Sequence, residues 1–587
     1  MQKEQSRLIY SPSDLTKFME SPFASWMDRL YKEHPDRVTP DEDSAEMKLV
    51  AEAGNKHEQD YLGQLKKDGR DVCEIAKTSA AEARRQTVEA LRGGREVIYQ
   101  ACLELAEFRG YADFLVRVPG RATPIYEVHD TKLARSVKPY YLVQLCCYSE
   151  MLAALQGVVP ERIHVVLGNG MVESFRVEDF CHYYRQLKAG FLELMKHFDA
   201  DQPPPAPDPR ADHGRWQAYA DKILTDCDHL AQVAGINVSQ IKKLSAAGIT
   251  TVATLANAGR KPVPKLAAAV LNRLVEQADL QVQTRESRVA ANETELIRPV
   301  FKVIKPDQDS PRRGLELLPP HSPLDVYFDM EGFPLVEGGL EYLFGAIFHD
   351  KGKPAFQDWW AHDRAEEKSA FEGFIDWAHA LWKQDPAMHI YHYASYEVSA
   401  MKRLRLMERH GTREQEVDDL LRHGVFVDLY QLVRQGLRVG APNYSLKSIE
   451  LLYRDKRAGD VKTAGQSMVY YANWMASGQP RDWRQSGLLR MIRDYNEDDC
   501  LSTLQLVQWL RDLQAERDIK FQPPAQAKPD EKKRSDKAIE AERRLHELIA
   551  AAAAKVSGDP ANSEQVRITE LLVHLTQFHR REAKPAW

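Results

Sequence analysis

The chain is 587 residues long, with 80 Lys and Arg against 86 Asp and Glu for a formal net charge of -6; this exceeds what one hydrophobic core organises and predicts about three or four compact units joined by linkers. With no global positive field, nucleic-acid affinity has to come from local basic surfaces and metal sites. No apolar run reaches bilayer length, no cleavable leader is read at the start, and the seven cysteines have neither disulfide-framework nor zinc spacing, so a cytoplasmic protein without a membrane partner is expected.

The first unit spans residues 1–200 and ends at QPPPAPDPR, Gln202–Arg210, where five prolines in seven positions stop any helix or strand. Early in it, AGNKHEQDYL (Ala53–Leu62) puts Gly54 and His57 on a helix. The segment FRGYADFLVRVPGRATPIYEVHDTKLA (Phe108–Ala134) alternates apolar residues on both sides of a Pro/Gly turn and reads as two strands. Asp113 lies on the first strand; on the second, the period of two puts Asp130 and Lys132 on one face and turns Glu127, a secondary acid, away. Two carboxylates on neighbouring strands can hold a hard divalent cation, and a lysine beside them can orient or deprotonate water. Next, YLVQLCCYSEML (Tyr141–Leu152) sets Gln144 and Tyr148 at i and i+4 on one helix face. Taken singly these signals are bland, as solvated acid and lysine rows, a surface histidine and helix packing. With the opening IYSPSDLTKFMESPFASWMDRL (Ile9–Leu30) they make four in order and at compatible spacing, which points to function.

This region resembles the PD-(D/E)xK nuclease superfamily, specifically its RecB-like and CRISPR-associated branch. The opening IYSPSDLTKFMESPFASWMDRL (Ile9–Leu30) also resembles the start of those nucleases. The resemblance implies a restriction-endonuclease-like fold and catalysis by Asp113, Asp130 and Lys132 with Mg2+ or Mn2+. It also implies His57 completing the metal shell and Gln144 and Tyr148 contacting substrate. Many relatives bind an iron-sulfur cluster through a cysteine where this chain has Ser21, but only Cys181 and Cys227 stand near the matching later region. A cluster needs four thiolates, so none is predicted, and the flanks of the proline linker (201–215) are expected to close the unit by packing.

A helical unit is predicted over 216–290, with helical pattern from about Trp216 to Ala278, followed by a poorly patterned connector at 291–322. Its segment VAGINVSQIKKLSAAGITTVATLANAG (Val233–Gly259) has two Gly-Ile turns around a short amphipathic helix and resembles a helix-hairpin-helix element. Such an element implies backbone N–H contacts to DNA phosphates, with Lys242 and Lys243 adding charge. A helical spacer whose glycines only cap helices fits the same pattern equally well.

An α/β unit is predicted over 323–515. LDVYFDMEGFP (Leu324–Pro334) reads as a strand carrying Asp329 and Glu331 on one face, a pair that is costly inside a sheet unless a cation binds there. The pair resembles the first motif of DEDD exonucleases on the RNase H-like fold. HIYHYASYEVSAMKRL (His389–Leu404) resembles the second motif, with Glu397 where those enzymes usually have Asp, and YNEDDC (Tyr495–Cys500) resembles the third, giving Tyr495 and Asp499 one helical turn apart. Asp498 then points elsewhere, toward solvent. Between them VFVDLYQLVRQGLRVGAPNYSLKSIELLY (Val425–Tyr453) resembles the intervening segment, with Asp428 at a strand end. The likeness is closest to the YprB-like group and implies a two-metal site in which Tyr495 positions water. An RNase H-like domain that has kept its fold and lost its chemistry is the alternative, because Glu397 is one methylene longer than the usual ligand.

A second linker is predicted at 516–537, including the Pro- and charge-rich QPPAQAKPDEKKRSDK (Gln522–Lys537). A helical C-terminal segment follows at 538–587, with patterns over Ala538–Lys555 and Ser563–Arg581. No G-x-x-x-x-G-K-[ST] motif occurs, so no P-loop ATPase is carried here. The resemblance implies that the chain is the nuclease portion of a longer nuclease-helicase. The reading is a multidomain α/β metal-dependent nuclease acting on single-stranded or duplex DNA, in DNA repair or defence against foreign DNA, with a helicase in cis or in trans. The alternative is a nucleic-acid-binding scaffold with an inactive RNase H-like domain.

Overall fold

The structure, a computed structural model, describes residues 1–523 except 5, 6, 122, 260, 291–296, 307–312, 403–409 and 456–462, and beyond 523 isolated positions only. Most of the second expected linker and the expected helical segment 538–587 therefore lie outside the described residues, isolated positions apart. No described helix is long and apolar enough to cross a membrane.

Strands β1 (Gln2–Glu4) and β2 (Arg7–Ile9) pair antiparallel ahead of α1 (Pro12–Glu20) and α2 (Pro22–Glu33). Both helices begin with a serine N-cap followed by proline, Ser11-Pro12 and Ser21-Pro22, where the missing N–H costs nothing and the fixed φ suits the first turn. Helices α3 (Ala45–Lys67) and α4 (Ala80–Arg92) start on Ser44 and Ser79. A six-stranded sheet in the order β3-β4-β5-β6-β7-β8 forms the centre of this unit. Its strands are β3 (Val72–Glu74), β4 (Val97–Leu105), β5 (Phe108–Arg117), β6 (Tyr126–Lys132), β7 (Arg162–Leu167) and β8 (Val172–Arg176). β5 and β6 are antiparallel, while β6 and β7 run parallel. A parallel pair needs a crossover, and α5 (Pro139–Gln156) supplies it. Because the sheet, α1 and α6 (Val177–Lys196) cover α5, it is apolar on most sides.

Beyond the prolines, α7 (Gln217–Asp226) folds back on this first unit, so the start of the helical stretch belongs with residues 1–200. Trp216 and Ala220 join Phe23, Trp26 and Met27 in one buried cluster. Asp28 ties this closure by accepting from Lys17 Nζ (2.9 Å), Arg215 Nε (2.8 Å) and Trp216 Nε1 (2.9 Å). Burial alone would raise the Asp28 carboxyl, but these donors outweigh it and hold it low. Ser21 lies against His213, Oγ to Nδ1 at 2.7 Å, with both residues buried. The first unit is closed here by side-chain packing and hydrogen bonds.

Helices α8 (Val238–Ala246), α9 (Val252–Ala256) and α10 (Ala268–Ala290) share a small apolar core of their own. The stretch read as an unpatterned connector contributes to the following unit. Its β9 (Phe301–Val303) pairs with a later strand, and the 3-10 turn Gly314–Leu317 buries Leu315 in that unit's core. A three-residue strand is too short for the alternation that a sequence scan needs.

The last described unit is built on a five-stranded sheet in the order β12-β11-β10-β13-β14. β10 (Val326–Phe333), β11 (Leu340–Asp350) and β12 (Lys353–Trp360) form an antiparallel meander. β13 (Ile390–His392) and β14 (Phe426–Asp428) add on the other side of β10 in parallel, and β15 (Leu437–Val439) is the partner of β9. The helices are α11 (Arg364–Gln384), α12 (Tyr396–Lys402), α13 (Glu414–Arg422), α14 (Leu429–Gly436), α15 (Leu446–Glu450), α16 (Ala464–Ser477) and α17 (Gly487–Glu516). α11 covers one face of the sheet and α17 the other. The whole is a multidomain α/β chain with mixed sheets.

Trp216→Ala removes one of the two tryptophans buried in the first unit's closure and is expected to cost about 3–5 kcal/mol, read as a lowered denaturation midpoint. An unchanged midpoint would show that α7 does not close the unit.

Candidate metal and nucleic-acid sites

The pleat of β10 sorts its side chains: Val326, Phe328 and Met330 enter the core under α11, and Tyr327 enters the core under α17. Asp329 and Glu331 share the parity of Tyr327 and so face α17, which carries Asp499. Ligand oxygens of Asp329, Glu331 and Asp499 all lie within 4.8 Å of one another. Among the described residues this is the one such cluster of three or more His, Cys, Asp or Glu. Burial, and next the Asp499 charge, push the Glu331 carboxyl up to about 8 against the opposing effects of Ser467, Tyr342 and Lys447. Tyr495 sits one turn before Asp499, and burial together with the three carboxylates holds its phenol well above the ordinary range.

Asn496, which the sequence pattern does not single out, donates from Nδ2 to Asp329 Oδ2 at 2.7 Å. Its reach depends on Gly345, the cross-strand partner of Asp329, because a Cβ there would overlap the Asn496 amide. Glu397 lines the same cleft of about 360 Å³ as the three acids and Tyr495. Its Oε2 lies 3.3 Å from His392 Nδ1, both side chains being buried, and it stands outside the 4.8 Å cluster. Glu341 is a further buried acid on this cleft and accepts from Tyr396 Oη at 2.8 Å. Asp428 accepts from Tyr430 N (2.9 Å), capping α14, and from Ala394 N (3.0 Å), which fixes the turn into α12. Asp498 does point away, but to Arg454 Nη2 at 2.6 Å rather than to open solvent.

In the first unit, the β5/β6 register pairs Phe114 with His129, and one step further it sets Asp113 opposite Asp130, on one face with Lys132. Lys132 forms an ion pair with the buried Asp130. Asp113 Oδ2 accepts from Thr131 N and Thr131 Oγ1, both at 2.9 Å. Burial, then the charges of Asp130 and Glu58, push Asp113 up to about 7, and Asp130 is raised by burial despite Lys132. Lys132 is raised in turn, since its two aspartates outweigh the burial that would lower it.

The acid that α3 brings to this pair electrostatically is Glu58, which holds Tyr99 Oη (2.7 Å) and Gln100 Nε2 (2.6 Å). Its neighbour His57 lies over β7, with Nε2 at 3.5 Å from the Val166 carbonyl oxygen. Glu58 stands in the same AGNKHEQDYL segment, but helical spacing alone does not choose between adjacent positions. Glu127 faces away, pairing with His164 Nε2 (2.9 Å) and accepting from Arg162 N (2.9 Å). Tyr148 is buried and donates to the Tyr111 carbonyl oxygen at 2.8 Å. Gln144, a turn earlier on α5, is half-buried.

Lys242 and Lys243 lie on α8, the first exposed and the second half-buried. Gly248 terminates α8 with a left-handed φ of 80°, and Ile249 N closes the cap on Leu244 O at 3.0 Å. The first amides of α9 are also taken internally, Ala253 N donating to Asp228 Oδ2 at 2.8 Å. This second glycine turn is a helix cap.

The family model of the RNase H superfamily matches residues 326–511. No curated protein matches the chain. The match runs from the start of β10 to near the end of α17, so residues 326–511 carry an RNase H-like domain, with the three-acid cluster between its central strand and that helix. Such a domain is consistent with nuclease-type hydrolysis.

Two outcomes follow from these geometries. Asn496→Ala removes this hydrogen bond to the Asp329 carboxylate and is expected to weaken Mn2+ binding by about 10–100-fold, measured by calorimetry; unchanged affinity would make Asn496 a packing residue only. In metal-free protein Glu331 and Asp113 titrate above their unfolded values, at about 8 and about 7. The folded chain then holds more protons than the unfolded chain, and stability falls as pH rises through that window. With EDTA, wild type should lose more stability between pH 5.5 and 8.5 than Glu331→Gln does; parallel curves would refute the assignment.

Proposed function

We propose that the chain is a metal-dependent DNA nuclease with two carboxylate sites, a DEDD-type exonuclease site on β10 and α17 and a RecB-like PD-(D/E)xK site on β5 and β6. The observation that carries this reading is the cluster of Asp329, Glu331 and Asp499 within 4.8 Å on the central strand and facing helix of an RNase H-like domain. The donor set fits Mg2+ or Mn2+: all ligands are hard oxygens, and Glu331 is raised first by burial and then by the Asp499 charge, both of which a bound cation would offset. Asp329, Glu331 and Asp499 would hold a divalent ion, which would supply charge neutralisation for the scissile phosphate and a more acidic water. The chain's own residues set the geometry. Asn496 fixes the Asp329 carboxylate, the Tyr342 and Ser467 hydroxyls, 2.6 Å apart, lie against Glu331, and Tyr495 offers a phenol to orient water beside Asp499.

At the other site Asp113 and Asp130 would hold a metal with Glu58 or His57 from α3, and Lys132, already paired with Asp130, would orient the attacking water. Coupling to a helicase, and a role in DNA repair or in defence against foreign DNA, belong to the same proposal and rest on the sequence resemblance. The scaffold reading draws on one placement: Glu397 stands outside the acid cluster, its Oε2 3.3 Å from His392 Nδ1 with neither atom in a hydrogen bond.

The test is cleavage of labelled single-stranded and duplex DNA with Mg2+ or Mn2+ by wild type, Asp329→Ala and Lys132→Ala. Each variant is expected to lose its own site's activity by about two to three orders of magnitude, as when a transition-state electrostatic partner is removed. Loss in Lys132→Ala alone would retire the RNase H-like site as an enzyme. No cleavage by wild type in either metal would leave the scaffold reading.

A further inference from the structure

Outside both acid clusters, the crevice between α10 and the α14–β15 corner concentrates positive charge. Two adjoining cavities, of about 160 and 400 Å³, share Arg273, Tyr430, Arg434 and Arg438, and the larger adds Arg313. No carboxylate lines either cavity among the described residues. Arg438 is half-buried; its Nε has no hydrogen-bond partner, and burial, with the Arg273 charge adding to it, holds its guanidinium below the ordinary range. Glu276 is the acid within electrostatic reach, but its carboxylate is held by Lys302 Nζ at 2.5 Å. Of the four arginines that line the two cavities, Arg438 is half-buried with its Nε unpartnered and the other three are exposed around it, a positive surface that attracts an anion.

We propose that this crevice binds the phosphodiester backbone of a nucleic-acid strand and guides it toward the acid cluster of the RNase H-like domain. In taking nucleic acid as the ligand, the inference rests on the nuclease reading above. The fold supplies the continuity. Asn443 and Tyr444 line the crevice, and three residues further on, Lys447 reaches the second site, its Nζ 5.8 Å from the centre of the Tyr495 ring. Tyr430 lies in the first turn of α14, two residues after its cap Asp428, whose carboxylate fixes the turn leading to Glu397. The crevice thus adjoins the loops that flank the cleft. Gly235, in the first Gly-Ile turn, lines the smaller cavity, which puts that turn beside the arginines, whereas Lys242 and Lys243 are absent from its lining. Guanidinium groups suit this task because their planar donors match phosphate oxygens.

The experiment is binding of a labelled single-stranded oligonucleotide to the full chain in EDTA across a salt series, with wild type, Arg273→Gln/Arg434→Gln and the charge-conserving Arg434→Lys. Both substituted arginines are exposed, so the fold should tolerate them. The double variant is expected to bind at least about 10-fold more weakly, and its slope of log K against log salt should be shallower by about 1.4, about 0.7 for each phosphate no longer neutralised. Arg434→Lys should keep the slope. An unchanged slope and affinity, or no oligonucleotide binding by wild type, overturns the site. A second arm uses inorganic tripolyphosphate, and loss of its binding with unchanged oligonucleotide binding overturns the nucleic-acid assignment in favour of a small polyphosphate. A metal-dependent nuclease is silent in EDTA, so failure here counts against the crevice and failure of the cleavage assay against the nuclease reading.

Discussion

Burying like charges together is the constraint around which the RNase H-like domain is arranged. Asp329, Glu331 and Asp499 meet within 4.8 Å on the inner face of a central strand, where Coulomb repulsion and desolvation act in the same direction. Nearby groups relieve part of this. Asn496 gives a hydrogen bond to Asp329, Tyr342 and Ser467 offer hydroxyls to Glu331, and Lys447 adds a distant positive charge. The relief is incomplete, since Glu331 stays protonated well above the usual carboxylate range. Neutral donors orient carboxylates without cancelling their charge. Orientation without neutralisation is what a cation site requires before its ion arrives.

The first unit meets the same constraint differently. Its lysine is internal, so Asp130 is compensated by Lys132 and the excess charge falls on Asp113, with Glu58 adding to it. Three acids meet one lysine here, whereas the cleft of the RNase H-like domain gathers five acids, Glu341 and Glu397 with the three of the cluster, and a more distant lysine. One acid group sits on an antiparallel strand pair and the other between a strand and a helix.

Legibility in the sequence followed from periodicity. Asp329 with Glu331, and Asp130 with Lys132, are readable because a strand's period of two puts i and i+2 on one face, and Tyr495 with Asp499 because a helical turn does the same. Asn496 is not readable, since its function depends on Gly345 across the sheet, a partner that no local pattern reveals. Glu58 escapes notice because it adjoins His57, and choosing between neighbours on a helix requires knowing how the helix is rotated over the sheet. The crevice arginines are scattered from Arg273 to Arg438, and only the docking of α10 beside the α14–β15 corner gathers them. Unit boundaries blur for a similar reason: α7 and β9 are short, and tertiary partners define them more than their own composition does.

The elements that carry the two acid groups also pack against each other. Near its start α3 lays Leu49 on the cluster that contains Tyr471 and Trp474 of α16, and Glu46 packs against Gly465. About 14 Å further along the same helix, at 1.5 Å per residue, lies Glu58 of the first site. α16 carries Ser467, whose hydroxyl meets Tyr342 beside Glu331. Past Lys132, Arg135 extends to Gly339 on the rim of the cleft that holds the three acids. A helix and a loop from the first site thus bear on a helix and a loop of the second.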